Sequence, residues 1–556
     1  MRPVLRHAVL AAGCVCALVL VGCSKHVASN APITFAPADT PYVYANLDRV
    51  PVDVLDAWTR DLSGQTSGLG QLAERISRKA PTAARILDAL QAELATIHSR
   101  KDLVQATGFP QSPSFAIYGI GDVPVARVEL DSPDTFKAFW ARVEKRAGVT
   151  APTATLDKQT YWVLGGADDK VHFLVAIEDR QLVITVAPAN ASPTLLKQLL
   201  GLTKPTRNAA DRLAGINSRY GYLDSGFSGY VDVPRLFANL FDGKNAITQE
   251  FTRDLGGSLA NPTCASEFAS LADQVPLISG GMHTYTTKEA SGSIDVQLSP
   301  SLLGALTALK QPVPGMDETS NDSMFDMVMA LPVQKWQAFI RDRARAAAEK
   351  AYQCPALRSL NKFARSAANP PVRLPPEAAS VLGFRVVLDR WDAGPQIAGR
   401  ALVASSNPAA LAQKIQQTLP QFALKTIPTD GKPVAFALPP RFSAMLGGGK
   451  QGWIAADANA LAIGAGDGED AKLARTLGAP AGDGDRLLRM HFDGKMYGVL
   501  GSWMGRFAVM APTANQAQVQ QQVAAFQQMG KIIGSVEADV RLDDKGLHFE
   551  ADITHR

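Results

Sequence analysis

At 556 residues the chain is too long for one compact core, and two or more domains are expected. Its composition, 46% apolar and 19% charged, is that of an ordinary folded protein and excludes long disorder. The formal charge of +4 is small for this length and excludes a nucleic-acid partner, which needs a dense basic patch.

The chain opens with Arg2, Arg6 and His7, then an apolar run from Ala8 to Val21 that ends in Leu20-Val21-Gly22-Cys23. A short basic segment, a greasy core and small residues at a cut have the order of an export signal. The run is shorter than the roughly 20 residues a membrane-spanning helix needs. Leu20-Val21-Gly22-Cys23 resembles the lipobox of bacterial lipoproteins. That resemblance implies that residues 1–22 are a signal peptide and that Cys23 becomes the first residue of the mature protein. Cys23 then carries a diacylglyceryl thioether and an acylated amino terminus, with chains such as palmitate. Several chains at about 0.8 kcal/mol per buried methylene hold a protein on a membrane almost permanently. In the same family an aspartate after the cysteine retains the protein at the inner membrane. Ser24 stands there, so the resemblance implies an outer-membrane anchor facing the periplasm. Loss of Arg2 and Arg6 with the signal lowers the charge from +4 to +2. Residues 23–32 are small and polar without periodicity, a flexible tether of at most about 35 Å.

The first ordered segment, Thr40–Leu47, alternates as a strand does, and Pro51 then starts a helix carrying Val52, Leu55 and Trp58. The same phrase returns at Met324–Leu331, with a helix carrying Trp336, Phe339 and Ile340. Val125–Leu130 precedes Ser132-Pro133 and a helix with Phe136, Phe139, Trp140 and Val143; Ile397–Leu402 precedes Asn407-Pro408 and a helix with Leu411, Ile415 and Leu419. Both helices open on a side-chain cap and proline. Hairpins are expected over Phe173–Ile184, turning at Glu178-Asp179-Arg180, and over Trp453–Ile463, turning at Asp457-Ala458-Asn459. Each leads to a helix ending at a glycine, Gly201 and Gly478, read as left-handed stops. Finally, Ser279–Gly292 and Ile533–Gly546 align without a gap.

Five phrases in one order predict an α+β protein of two homologous halves, 33–315 and 321–556, each an antiparallel sheet with helices packed to one side. Gln311-Pro-Val-Pro-Gly315 is the linker. The opening Pro37-Ala-Asp-Thr-Pro-Tyr42 also resembles that of large uncharacterised exported proteins of proteobacteria, a likeness that implies no activity.

Cys14 and Cys16 leave with the signal and Cys23 takes lipid, so Cys264 and Cys354 remain. In an oxidising compartment an even pair is read as a disulfide, closing a loop of about 90 residues and stapling the halves across the linker.

Catalytic and metal patterns fail one by one. Ser359-Leu-Asn-Lys362 has the serine-lysine spacing of penicillin-recognising enzymes, but no later partner motif follows it, so a solvated helix face is expected. Gly447-Gly-Gly-Lys450 and Gly464-Ala-Gly466-Asp-Gly468 fail as phosphate loops. Asp467, Glu469 and Asp470 with Asp483 and Asp485 group carboxylates, yet no calcium loop can be drawn through them. The histidines lack zinc spacing. Gly226-Phe-Ser-Gly229 is read as a hairpin turn. The basic helix Trp336–Tyr352 suits an anionic lipid surface or plain core packing, and core packing is the expectation. The glutamine-rich helix Asn515–Met529 is expected to turn Val519, Val523 and Phe526 to its own sheet.

No cofactor, metal or catalytic residue is assigned. Three roles stay open. They are non-catalytic binding or scaffolding in the cell envelope with a protein partner, carriage of an apolar ligand such as a lipid, and a hydrolase whose site follows none of these patterns.

Overall fold

The computed structural model describes residues 28–59, 73–74, 81–165, 169–241, 262–318, 322–370, 374–391, 397–422, 424, 427–440, 443, 451–508 and 516–556. Cys23, the signal segment and Gly447–Lys450 lie outside the described residues.

Strand β1 (Tyr42–Ala45) leads to α1 (Val52–Trp58), α2 (Pro81–Leu94) and α3 (Arg100–Thr107), then to β2 (Phe115–Ile120) and β3 (Val123–Glu129). Helix α4 (Pro133–Ala147) precedes β4 (Thr153–Leu156), β5 (Gln159–Leu164), β6 (Val171–Glu178) and β7 (Gln181–Pro188). Helices α5 (Pro193–Leu200) and α6 (Ala210–Tyr220) are followed by β8 (Ser228–Asp232), α7 (Val233–Phe241), α8 (Pro262–Ala272), β9 (Leu277–Tyr285) and β10 (Glu289–Gln297). After α9 (Pro300–Thr307) come β11 (Phe325–Ala330), α10 (Val333–Glu349), α11 (Arg358–Ala368) and α12 (Pro376–Ala379). Next are β12 (Val381–Trp391), β13 (Ile397–Ser405), α13 (Pro408–Thr418), β14 (Val434–Ala437), β15 (Gln451–Ala456) and β16 (Ala460–Ala465). Last come α14 (Glu469–Leu477), β17 (Arg486–Asp493), α15 (Lys495–Ala508), α16 (Gln516–Ile532), β18 (Ile533–Leu542) and β19 (Leu547–His555).

Local chemistry sets many of these boundaries. Ser132, Ser192, Ser299 and Asn407 each accept a hydrogen bond from the backbone N–H three residues on, with proline next in the chain. The cap satisfies an orphan donor, and proline lacks the N–H that would be another. Gly148 and Gly201 end their helices at φ 64° and 78°. Gly478 does not: its φ is −85°, and its N–H makes an ordinary bond to Ala474 O, so the left-handed stop expected there is absent. The β6–β7 hairpin turns on Asp179 and Arg180, both at positive φ, matching the twist of its strands.

Among the described residues all pairings are antiparallel and unite 19 strands. Outward from β1, one arm runs β2-β3-β7-β6-β5-β4 and the other β8-β9-β10. From β11 the arms are β12-β13-β16-β15-β14 and β17-β18-β19. Among the described residues the two sets follow the same order, with β4 lacking a counterpart. They join edge to edge where β10 pairs with β19, Glu289 opposite Thr554 through Val296 opposite Leu547. The gapless glycine match does not survive: Gly292 lies inside β10, whereas Gly546 lies in the β18–β19 turn at φ 137°.

Helices cover both faces rather than one. Leu182 and Val183 are consecutive in β7 and so point to opposite sides. Leu182 packs with Phe136, Phe139 and Trp140 of α4, and Val183 with Leu195 and Leu199 of α5 and Leu213 of α6. In the second set, Ile454 and Leu461 lie under α13, and Ala455 and Ala462 lie under α14. Two-sided cover follows from apolar residues at consecutive strand positions, which a one-sided sheet does not need.

Two segments expected to be loose are docked. Gln181 Nε2 donates to Asn30 O at 2.6 Å, and Pro32 is buried. Val313 and Met316, at the expected linker, are fully buried with Leu402 and Leu473.

Candidate functional site

Outer strands carry helices on both faces, while the middle of the sheet keeps one face open. A row of residues in register crosses it on that face. Ile117 of β2 stands opposite Tyr44 of β1, which stands opposite Gly229 of β8, and Gly229 opposite Gly280 of β9. The row continues through Ile294 of β10 and Phe549 of β19 to Val540 of β18 and Leu488 of β17. Tyr44, Ile117, Ile294 and Phe549 are 44%, 40%, 54% and 41% exposed, although all are large and apolar.

Between Tyr44 and Ile294 the paired glycines leave this row of two adjacent strands without side chains. With strands about 4.8 Å apart, that makes a trough about 10 Å wide floored by backbone. Gly292, Ala551 and Ala538 continue the low floor across the β10–β19 junction. The groove has a volume of about 800 Å³. A band of rings flanks it: Tyr44, Phe115 and Phe227 sit with centroids 5.6–6.3 Å apart, and Tyr285 joins Phe227 at 5.8 Å. Trp58 of α1 extends the band to Tyr285 and donates from Nε1 to Thr286 O at 2.6 Å.

The opposite face at the same junction is polar. Asp295 of β10 stands near His548 of β19, and the imidazole bonds Asp295 through Nδ1 and Asp543 through Nε2, the latter at 2.7 Å. The buried Tyr222 hydroxyl and the Ser293 hydroxyl also donate to Asp295 Oδ2. The hydrogen bond to Asp295 raises the His548 pKa against the effect of burial, and Asp543 adds to it. Burial by itself would raise the pKa of Asp295; the bonds from His548, Ser293 and Tyr222 outweigh it and hold the carboxyl below its usual range. Both ring nitrogens face carboxylates, an arrangement that favours the protonated ring. Arg486, Arg541, Asp317 and Asp485 also line this cleft of about 490 Å³.

The structure bridges Cys264 and Cys354, with Cα atoms 4.7 Å apart. Cys264 lies in α8. Cys354 lies five residues beyond the end of α10 and caps the 3-10 turn Pro355–Leu357. The Glu267 carboxylate accepts from Gln353 N at 2.7 Å and Cys354 N at 2.9 Å, reinforcing the junction.

The carboxylates grouped in the sequence part company. Glu469 turns inward to Arg400 and Lys472, and Asp485 pairs with Lys310. Among the described residues no group of three His, Cys, Asp or Glu side chains is placed to hold a metal. Ser359 and Lys362 are exposed on α11. Gly226–Gly229 is no hairpin turn: Ser228 and Gly229 begin β8, and Gly229 floors the trough. Helix α16 packs on α15 instead of the sheet, with Val523 and Phe526 against Gly501 and with Gly530 against Gly498.

The trough residues escaped the sequence reading, and their signal was alternation. In Ser293-Ile294-Asp295-Val296 and Leu547-His548-Phe549-Glu550 polar and apolar residues take turns, which identifies two faces without saying which is covered. No protein-family model, curated protein or solved structure matches the chain.

Proposed function

We propose that this is a non-catalytic binding protein of the cell envelope whose open sheet face takes an apolar chain, such as the acyl tail of a lipid. The observation that carries the reading is the trough itself. A contiguous exposed apolar surface of this kind marks a binding site in folded proteins. Its volume falls within the roughly 300–1,000 Å³ usual for ligand sites. A backbone floor walled by Tyr44, Phe227, Ile294 and Phe549 suits a long flexible chain better than a compact polar substrate. The lipid anchor on Cys23 and the outer-membrane, periplasmic location belong to the same proposal, supported by the lipobox resemblance. The shared strand order of the two sets supports descent from one duplicated unit.

Native mass spectrometry of the chain from Ser24 to Arg556, with a fluorescent fatty acid as probe in parallel, tests the ligand. A lipid-sized mass and saturable uptake are expected. Ile294→Asp puts a charge on an exposed wall of the trough, and should lower uptake at least about tenfold while changing stability by no more than about 0.5 kcal/mol. Uptake equal in parent and variant would remove the trough as the site.

A further inference from the structure

Helices α10 and α11 form a hairpin joined by the segment that carries Cys354. Core packing was the expectation for the first of them, yet Ala344 is its only buried residue among 333–349. Residues 333–368 hold eight basic side chains against two acidic ones, a surplus of six that exceeds the +4 of the whole chain. The two acids do little to neutralise it: Asp342 pairs with Arg341 at 3.7 Å and is 68% exposed, and Glu349 is exposed at the end of α10.

Helix α11 divides into three sides. Asn361, Ala364 and Ala368 turn inward, and the Asn361 side chain is tied to both the N–H and the C=O of Tyr352. By helical spacing, Leu360, Phe363 and Ala367 share a second side, and Arg358, Lys362 and Arg365 share a third. Phe363 is 65% exposed, the most exposed large apolar side chain among the described residues, and Leu360 is 42% exposed. Ile340 of α10 is 43% exposed.

We infer that this hairpin is a membrane-contact surface, with Phe363 and Leu360 on one flank of α11 entering the headgroup layer of a bilayer and the long basic side chains of the other flank reaching to anionic phosphates. Charge complementarity selects the occupant. An apolar protein groove would take Phe363 and Leu360 but would gain nothing from the basic surplus, whereas an anionic lipid surface uses both. The contact is separate from the trough. It orients the protein on the surface, and a covalent anchor by itself leaves orientation free.

The test uses the chain from Ser24 to Arg556, which keeps every described residue and lacks Cys23. It is sedimented with vesicles of phosphatidylcholine alone and of equal parts phosphatidylcholine and phosphatidylglycerol. Binding to the anionic vesicles is expected, falling with salt, together with little or none to the neutral ones. Lys362→Glu with Arg365→Glu should weaken it about 100-fold. Leu360→Ser with Phe363→Ser should leave only the salt-sensitive part. All four side chains are exposed, so thermal midpoints should stay at the parent value and separate a lost surface from a lost fold. Ile294→Asp should bind vesicles as the parent does, which keeps this result independent of the trough. Equal binding to both vesicle types, no binding to either, or anionic binding indifferent to the α11 variants overturns the inference. Capture by immobilised polyglutamate in place of vesicles also overturns it, and identifies an acidic protein as the partner.

Discussion

Asp326 is fully buried on β11 and receives two bonds from the equally buried Arg385 of β12, at 3.0 and 2.8 Å, and another from Arg489 of β17. The strands on either side are thus tied through one carboxylate. Asp326→Ala leaves two guanidinium groups without it, and should cost about 3–5 kcal/mol, read as a lower denaturant midpoint. An unchanged midpoint would mean that the arginines find other partners. At the β10–β19 junction the effect depends on pH. The His548 pKa is raised, so its stabilisation is complete below the ordinary histidine value of about 6.5 and is lost as pH climbs through the raised folded value. The Asp295 and Asp543 values are lowered, so theirs is present above about 3.9 and is lost as pH falls through the folded values. Stability from this cluster is greatest between those limits. Raising pH from about 6 to about 9 should therefore lower the thermal midpoint more in the parent than in His548→Gln. Equal slopes would mean that the cluster does not hold the junction. None of these pairings was legible beforehand, because Asp326 and Arg385 are far apart in the chain and only the register of β11 with β12 makes them neighbours.

Helix and strand positions were legible wherever a local device sets them. Ser132-Pro133 and Asn407-Pro408 start helices because cap and ring act within one turn, and the β6–β7 hairpin turns at Asp179-Arg180, both at positive φ. What a helix packs against was less legible. The stripe of Val523 and Phe526 serves equally well to meet a sheet or a helix; glycines at 498 and 501 of α15 bring that helix close enough to win. The Cys264–Cys354 bridge is the one long-range contact that counting anticipated. It links α8 to the turn between α10 and α11, so replacing both cysteines with alanine should cost about 2–5 kcal/mol in denaturant melts. Phe237, Phe241 and Phe268 stack beside it, with centroids from 4.4 to 6.0 Å apart. A variant as stable as the oxidised parent would show that these rings suffice.

For the molecule as a whole, the proposed anchor and the sheet make separate demands. Cys23→Ser removes the acceptor of the proposed lipid and should move the protein from the membrane fraction to the soluble periplasmic fraction after a salt wash. Persistence after that wash would contradict the anchor as the main attachment. Ser29 and Asn30 are bonded to the folded part, so that part begins inside the segment expected to be a tether. By itself the sequence determined the α+β class, the capped helix starts and the cysteine pair, all of which depend on residues close in the chain or on counting. Tertiary structure decided the cover of both sheet faces, the edge-to-edge union of β10 with β19, and the open apolar trough opposite a polar cleft. Alternation assigns a side chain to a face, but whether that face meets helix, solvent or ligand depends on strand neighbours hundreds of residues away.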